Sequence, residues 1–372
     1  MAEFSLKDQL FNEKKVRQLA SELQAAMPTF PSDSFIEDIC CRLPELELKE
    51  RLHWIATTLS TYLPSNFKEA VSIILAALPA PCDPAKKDDD FGEFIYAPYN
   101  QFIAEHGCTE AFVDLSLQTL EKTTTRFSAE DAIRVFINRF PKKTLEYLQR
   151  WTTHPHYHVR RLVSEGTRPA LPWAKKIYYQ SSEFLALLDI LYYDPTRFVT
   201  RSVANHLNDV SKFNPDAVLH KLRIWQEDQK QDKREFEYIK RHALRTLVKQ
   251  GHPDTLSYLG YSKNPNTDIR LILPSQQVHI GDTLSFSIQI NAHEPCRLLI
   301  DFVIYFKSKT TKASEKVFKL RTLSLNKGEH IVIKKNYHFK ANMTTRPLYP
   351  GHHYIQLQVN GARLRKHRFF LV

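Results

Sequence analysis

No stretch of this 372-residue sequence approaches the ~20 uninterrupted apolar residues of a membrane-spanning helix, and the opening MAEFSLKDQLFNEKKV lacks the apolar segment of a secretory leader. A cytoplasmic protein without membrane contact is expected. Cysteine is scarce: Cys40, Cys41, Cys82, Cys108 and Cys296 form no CxxC pair, and adjacent Cys40 and Cys41 are badly placed to bridge each other. Reduced, mostly buried thiols follow. A P-loop, a GxGxxG turn and a GxSxG elbow are also missing, which argues against nucleotide hydrolysis, dinucleotide redox chemistry and α/β-hydrolase catalysis. His154, His156 and His158 alternate in a segment that reads as a loop entering a helix, where they would not stay on one face. No metal and no cofactor is expected, and Asp88 to Asp90 read as a solvated loop. Acidic residues run short towards the C-terminus: residues 271–372 hold 16 Lys and Arg against 5 Asp and Glu, whereas residues 1–100 hold 10 against 16. That asymmetry, in a chain of net charge +11, fits a polyanionic partner, because Lys and Arg displace condensed counterions from phosphates. A basic surface kept for solubility is the alternative.

What is present is enough apolar sequence, 42%, to exclude wholesale disorder, and enough length for two domains. Up to about residue 260, apolar residues recur at three and four, as in LKERLHWIATTLSTYL and AFVDLSLQTLEKTT, which predicts amphipathic helices. Breaks fall at MPTFPSDS, where Ser34 is a candidate cap, at LPAPCDPAKKDDDFG, and near Pro141, Pro155, Pro195 and Pro215. VRRLVSEG from Val159, VTRSVANH from Val199 and IKRHALRT from Ile239 are spaced 40 residues apart. A helix pair of that length is HEAT-like and stacks into a solenoid with one concave binding face. The offset also aligns Arg161, Arg201 and Arg241, then Glu165, Asn205 and Arg245, then Asp209 and Lys249, as one polar stripe. A row of solvated residues with i, i+4 pairs is the other reading. Past Leu259 seven alternating or β-branched segments, from DIRLILP to RKHRFFLV, are separated by turns such as IGDT and NKGE. They predict an immunoglobulin-like β-sandwich. The expected architecture is therefore a HEAT-like helical-repeat solenoid over 1–262 followed by a basic β-sandwich over 269–372.

The segment RRLVSEGTRPALPWA, Arg160 to Ala174, resembles the signature of the AlkC family of alkylation-repair DNA glycosylases. TRFSAEDAIRVF from Thr125, RSVANHLNDVSK from Arg201 and RHALRTLVKQG from Arg241 are similar to that family in the same order. Departures are Asp131, where the family tends to an apolar aromatic, and Val135, where it tends to proline. The resemblance implies HEAT-like repeats, in some members with an immunoglobulin-like domain, and excision of cationic N-methylated bases such as 3-methyladenine from duplex DNA, without a tight base-flipping pocket. It implies a catalytic set of Glu130, Glu165, Trp173 and Asp209. The residues read alone leave other roles open: a helix N-terminal carboxylate after Ser128 for Glu130, an ion pair with Arg161 for Glu165, and core for Trp173. Arg161, Arg168, Arg201, Arg241, Arg245 and Lys249 are the expected DNA contacts. Lys307, Lys309, Lys312, Lys316, Lys319 and Arg321, with Arg363, Arg365, Lys366 and Arg368, would make the sandwich a DNA clamp. The expected enzyme is a monomer whose partner is double-stranded DNA containing alkylated bases. A non-catalytic repeat scaffold binding nucleic acid or protein through the same face is the competing reading.

Overall fold

The structure, a computed structural model, describes residues 5–86, 88, 91–178, 182–308, 314–341 and 347–372. Helices fill the chain as far as Tyr258 and strands fill the rest. Contacts divide it into two compact units: one is the chain up to Asn214 with His220–Ala243, the other is Pro215–Leu219 with Leu244–Val372. Among the described residues no helix is long and apolar enough to cross a membrane.

In the first unit the 40-residue offset becomes geometry. The helices Tyr157–Gly166, Arg197–Val210 and Lys233–Ala243 follow one another in packing order, and each is preceded in the chain by another helix: Pro141–Trp151, Ser182–Leu191 and Pro215–Asp228, the last divided between the two units. Their inward positions are equivalent: Val159 and Val163, Val199 and Val203, Ile239 and Ala243 are all fully buried. Each buried aliphatic side chain of this kind contributes about 1.5–3 kcal/mol. Close approach is enforced at Gly166, where an added Cβ would lie 2.5 Å from Ile133 Cγ2. Polar links join repeats at their ends, including Arg160 to Asp194 at 3.1 Å and Arg197 to Glu235 at 2.7 Å.

Local expectations needed two corrections, and the histidines of the 154–158 segment have a structural task. The third helix runs Ser32–Cys40, so Ser34 lies inside its first turn and is not its cap. All five cysteines are free thiols, but only Cys108 is buried, and Cys41, just past a helix end, is exposed. His154 and His156 cap backbone amides: His154 Nδ1 accepts from His156 N at 3.0 Å, and His156 Nδ1 accepts from His158 N at 3.2 Å.

The second unit is a sandwich of β1 (Thr267–Ile272), β2 (Gln277–Val278), β3 (Thr283–Ala292), β4 (Cys296–Phe306), β5 (Ser314–Leu325), β6 (His330–His338), β7 (Gly351–Val359) and β8 (Ala362–Leu371). The seven expected strands are present. The additional β2 pairs parallel with β8, and at two residues it is too short to show periodicity. The sheets are ordered β1-β3-β6 and β2-β8-β7-β4-β5. Alternation along β3 sends Leu284, Phe286, Ile288 and Ile290 inward against Ile300, Phe302 and Ile304 of β4. The short helices Arg245–Gln250 and Pro253–Tyr258 belong to this unit. Gly251 and Gly361, both at positive φ, meet so closely that a Cβ on either would lie 2.8 Å from the other's backbone. Gln358 donates to the Lys249 carbonyl at 3.1 Å, and Asn360 donates to the Ser262 carbonyl at 2.7 Å.

Candidate functional site

Three of the four expected catalytic residues are joined in a single ladder of alternating charge. Glu130 opens the helix Glu130–Arg139, where a carboxylate suits the positive end of the helix dipole. It accepts from Ser128 Oγ at 2.7 Å and from Arg161 Nη1 at 3.0 Å. Arg161 also faces Glu165 at 3.8 Å and lies over the Phe198 ring, 4.5 Å from its centroid. Glu165 accepts from Arg168 Nη1 at 2.6 Å and from Ser202 Oγ at 2.6 Å. Arg168 then donates from Nε to Asp209 at 2.9 Å, and Lys212 closes the run on the other Asp209 oxygen at 2.9 Å. Three acids thus alternate with three cations across the Glu130–Arg139, Tyr157–Gly166 and Arg197–Val210 helices.

Burial grades along the ladder. Glu130 is half-buried, while Glu165 and Asp209 are buried at 5% and 3% exposure. Burial alone would raise the Glu165 carboxyl, but Arg161, Arg168 and the Ser202 hydroxyl outweigh it and hold it below the usual carboxylate range. Arg168 shows the mirror effect: burial opposes its charge, yet Glu165 and Asp209 raise it above the ordinary guanidinium value. The arrangement keeps an ionised carboxylate in a site nearly free of solvent.

Trp173 is far from core: it is 80% exposed, with φ at +62°. A bulky residue holds that left-handed conformation only when its surroundings impose it. Lys49 donates to the Trp173 carbonyl. Trp173, Glu130 and Asp131 line one cleft of about 180 Å³ together with Leu52, Phe127 and Asn100. A larger cavity, of about 360 Å³, is lined by Thr167, His206 and Phe213 but by no acid.

The expected DNA-contacting cations are placed unequally. Arg161 and Arg168 are turned inward to carboxylates, as above. Arg201 pairs with Asp88, which is therefore more than a solvated loop residue; Asp89 and Asp90 lie outside the described residues. Arg241 is exposed, with Nε on the Glu237 carbonyl at 3.1 Å. In the second unit Arg245 is half-buried and Lys249 exposed. On the sandwich Lys316, Lys319, Arg321, Arg365, Lys366 and Arg368 are exposed, Lys307 donates to the Pro350 carbonyl at 2.8 Å, and Lys309 and Lys312 lie outside the described residues. Arg363 forms a two-pronged pair with Glu315, both bonds at 2.8 Å, which raises its guanidinium further.

Several participants escaped the sequence reading. Ser202 sits at no repeated polar position, so nothing in the 40-residue offset pointed to it. Asp131 stands out in the sequence only as a departure from the family pattern; its carboxylate accepts the Lys175 amide at 2.9 Å. Arg134 and Asn138 follow it at helical spacing and also bind backbone between residues 166 and 178.

Comparison with known proteins accords with this fold. Residues 268–372 match the family described as "Uncharacterised protein YhaZ, C-terminal Ig-like domain". The chain is 30% identical over 360 residues to "Uncharacterized protein YhaZ" of Bacillus subtilis (strain 168), covering 95% of this chain and 96% of that one. A solved structure of Pseudomonas fluorescens alkylpurine DNA glycosylase AlkC, bound to DNA containing an abasic site analogue, matches with a TM-score of 0.88 and 30% identity, covering 99% of this chain and 100% of that one. The chain belongs to the AlkC family, in a form that carries the YhaZ C-terminal immunoglobulin-like domain.

Proposed function

We propose that this protein is a DNA glycosylase that hydrolyses the N-glycosidic bond of cationic N-methylated bases, such as 3-methyladenine, in duplex DNA. The observation that carries the reading is the ladder of Glu130, Glu165 and Asp209 beside an exposed Trp173, in a chain matched along its length by an alkylpurine glycosylase. A methylated base is already cationic and leaves without being protonated, so positive charge builds on the sugar. Carboxylates stabilise that oxocarbenium-like state, and one of them orients the attacking water. Glu130 has the open access for this role because it lines the cleft, and Glu165 reinforces it through Arg161. The Trp173 ring offers a cationic base an electron-rich face. No cofactor takes part. Phosphate contacts come from Arg201, Arg241, Arg245, Lys249 and the basic face of the sandwich, while Arg161 and Arg168 hold the carboxylates.

The test is single-turnover incubation with methylated duplex DNA and chromatography of the released bases. Glu130→Gln and Glu165→Gln are each expected to slow release by about 10²-fold or more with DNA affinity nearly unchanged, since the amide keeps the shape and loses the charge. Absence of any released N3- or N7-methylpurine or N3-methylcytosine with the unaltered protein would leave the non-catalytic scaffold in front.

A further inference from the structure

Residues 166–178 form a strap held by one face of the Glu130–Arg139 helix. Asp131 accepts the Lys175 amide at 2.9 Å. Arg134, itself buried, donates from Nη1 to the Gly166 and Arg168 carbonyls at 3.0 and 2.9 Å, and from Nε to the Lys175 carbonyl. Asn138 accepts the Tyr178 amide and donates to the Lys176 carbonyl, both at 2.8 Å. The three are spaced i, i+3 and i+7, so they make one stripe along the helix. Lys49 grips the Trp173 carbonyl from another helix.

All of these bonds end on strap backbone, so they fix its path rather than any side chain. The strap carries two large rings, Trp173 and Tyr178, each 80% exposed. Two exposed rings on a backbone fixed in this way add little to the stability of the free protein. Their use is with a surface that meets them.

We propose that Asp131, Arg134 and Asn138 are positioning residues that keep the strap in one conformation, so that Trp173 and Tyr178 stack on the faces of unstacked DNA bases. This rests on the glycosylase reading only for the identity of the partner. Every base has a flat face, so such contacts tolerate any sequence, and a strap already in place spares the loss of conformational freedom on binding.

The experiment uses the full chain and duplex carrying an abasic-site analogue with 2-aminopurine beside it. Stacking of either ring quenches 2-aminopurine, and hydrogen exchange over residues 166–178 reports the strap. Asp131→Ala and Asn138→Ala are expected to speed strap exchange and to weaken binding about 10-fold with lost quenching, as is Tyr178→Ala for binding and quenching alone. Asp131→Asn, whose amide oxygen still accepts the Lys175 N–H, restores exchange, affinity and quenching. Exchange in the Tyr157–Gly166 helix is the folding control. Faster strap exchange with unchanged affinity and quenching would overturn the proposal, as would Asp131→Asn behaving like Asp131→Ala. A protein that releases no base yet shows this pattern would lose the glycosylase reading and keep the strap.

Discussion

The two units of the chain treat charge in opposite ways. In the helical unit, Arg161, Arg168 and Lys212 alternate with Glu130, Glu165 and Asp209, and Arg168, Glu165 and Asp209 at its centre are buried. In the sandwich, Lys316, Lys319, Arg321, Arg365 and Lys366 stand exposed in a segment with few acids. A buried, paired cation fixes geometry and has little counterion atmosphere to exchange with DNA. An exposed, unneutralised cation does the reverse. On the glycosylase reading proposed above, the first unit holds the reactive carboxylates and the second supplies much of the attraction for phosphate.

The largest test of that contrast removes one cation from each unit. Arg168→Met removes the buried cation that Glu165 and Asp209 share, leaving them only Arg161, Ser202 and Lys212, and is expected to destabilise the helical unit by about 3 kcal/mol in urea unfolding. Arg365→Met on the sandwich surface is expected to change stability by less than about 0.5 kcal/mol. Similar losses from both would abolish the distinction.

Acid should also separate the units. His206 is fully enclosed, and burial pushes its imidazole down to about 4. Because the folded value lies below the unfolded one, its contribution is complete above about pH 6.5 and is lost as pH falls through about 4, by roughly 3 kcal/mol. Asp301 in the sandwich runs the other way: burial raises its carboxyl to about 6. Its folded state favours the protonated form, so stability is lost as pH rises from about 4 to about 6. Urea unfolding between pH 7 and 4, followed by helical ellipticity and by hydrogen exchange in β3 and β4, should show the helical unit weakening while the Asp301 term strengthens the sandwich. His206→Gln should flatten the first trend; an unaltered slope would remove His206 as its source.

Smaller effects concern DNA. Replacing Lys316, Lys319 and Arg321 together by Gln should lower the slope of log affinity against log salt by about three, and Arg241→Ala by about one. Folded Arg161→Gln should leave the slope nearly unchanged. A drop with Arg161→Gln equal to that with Arg241→Ala would mean that the ladder opens to phosphate on binding. Least of all, Asp301→Asn should raise the melting temperature slightly at pH 7.5, since it removes a carboxylate charged there against its environment.

Much of the architecture was legible because it is written in periods. Spacing of three and four gave the helices, alternation gave the strands, and the 40-residue offset gave three equivalent helices whose inward positions, from Val159 to Ala243, coincide in burial. β2 was invisible because two residues carry no period. At the site, Glu130, Glu165, Trp173 and Asp209 came from resemblance to a family, and the ladder that joins three of them did not.

By itself, then, the sequence determined the order of helices and strands, the surplus of positive charge in the last hundred residues and the single stripe on which Arg161, Arg201 and Arg241 fall. Helical spacing states where a side chain points relative to its own axis. It is silent on what packs there. Only the tertiary structure decided that Arg161 turns inward to Glu130 and Glu165 whereas Arg241 meets solvent, and that Ser202, 37 residues away in the chain, donates to Glu165. It also decided that Trp173 stands exposed in a left-handed turn, because Lys49, from a helix 124 residues earlier, binds its carbonyl while Asp131 holds the Lys175 amide two residues on. Contacts over such separations depend on how helices stack, and stacking is fixed by packing the whole unit at once rather than by any local pattern.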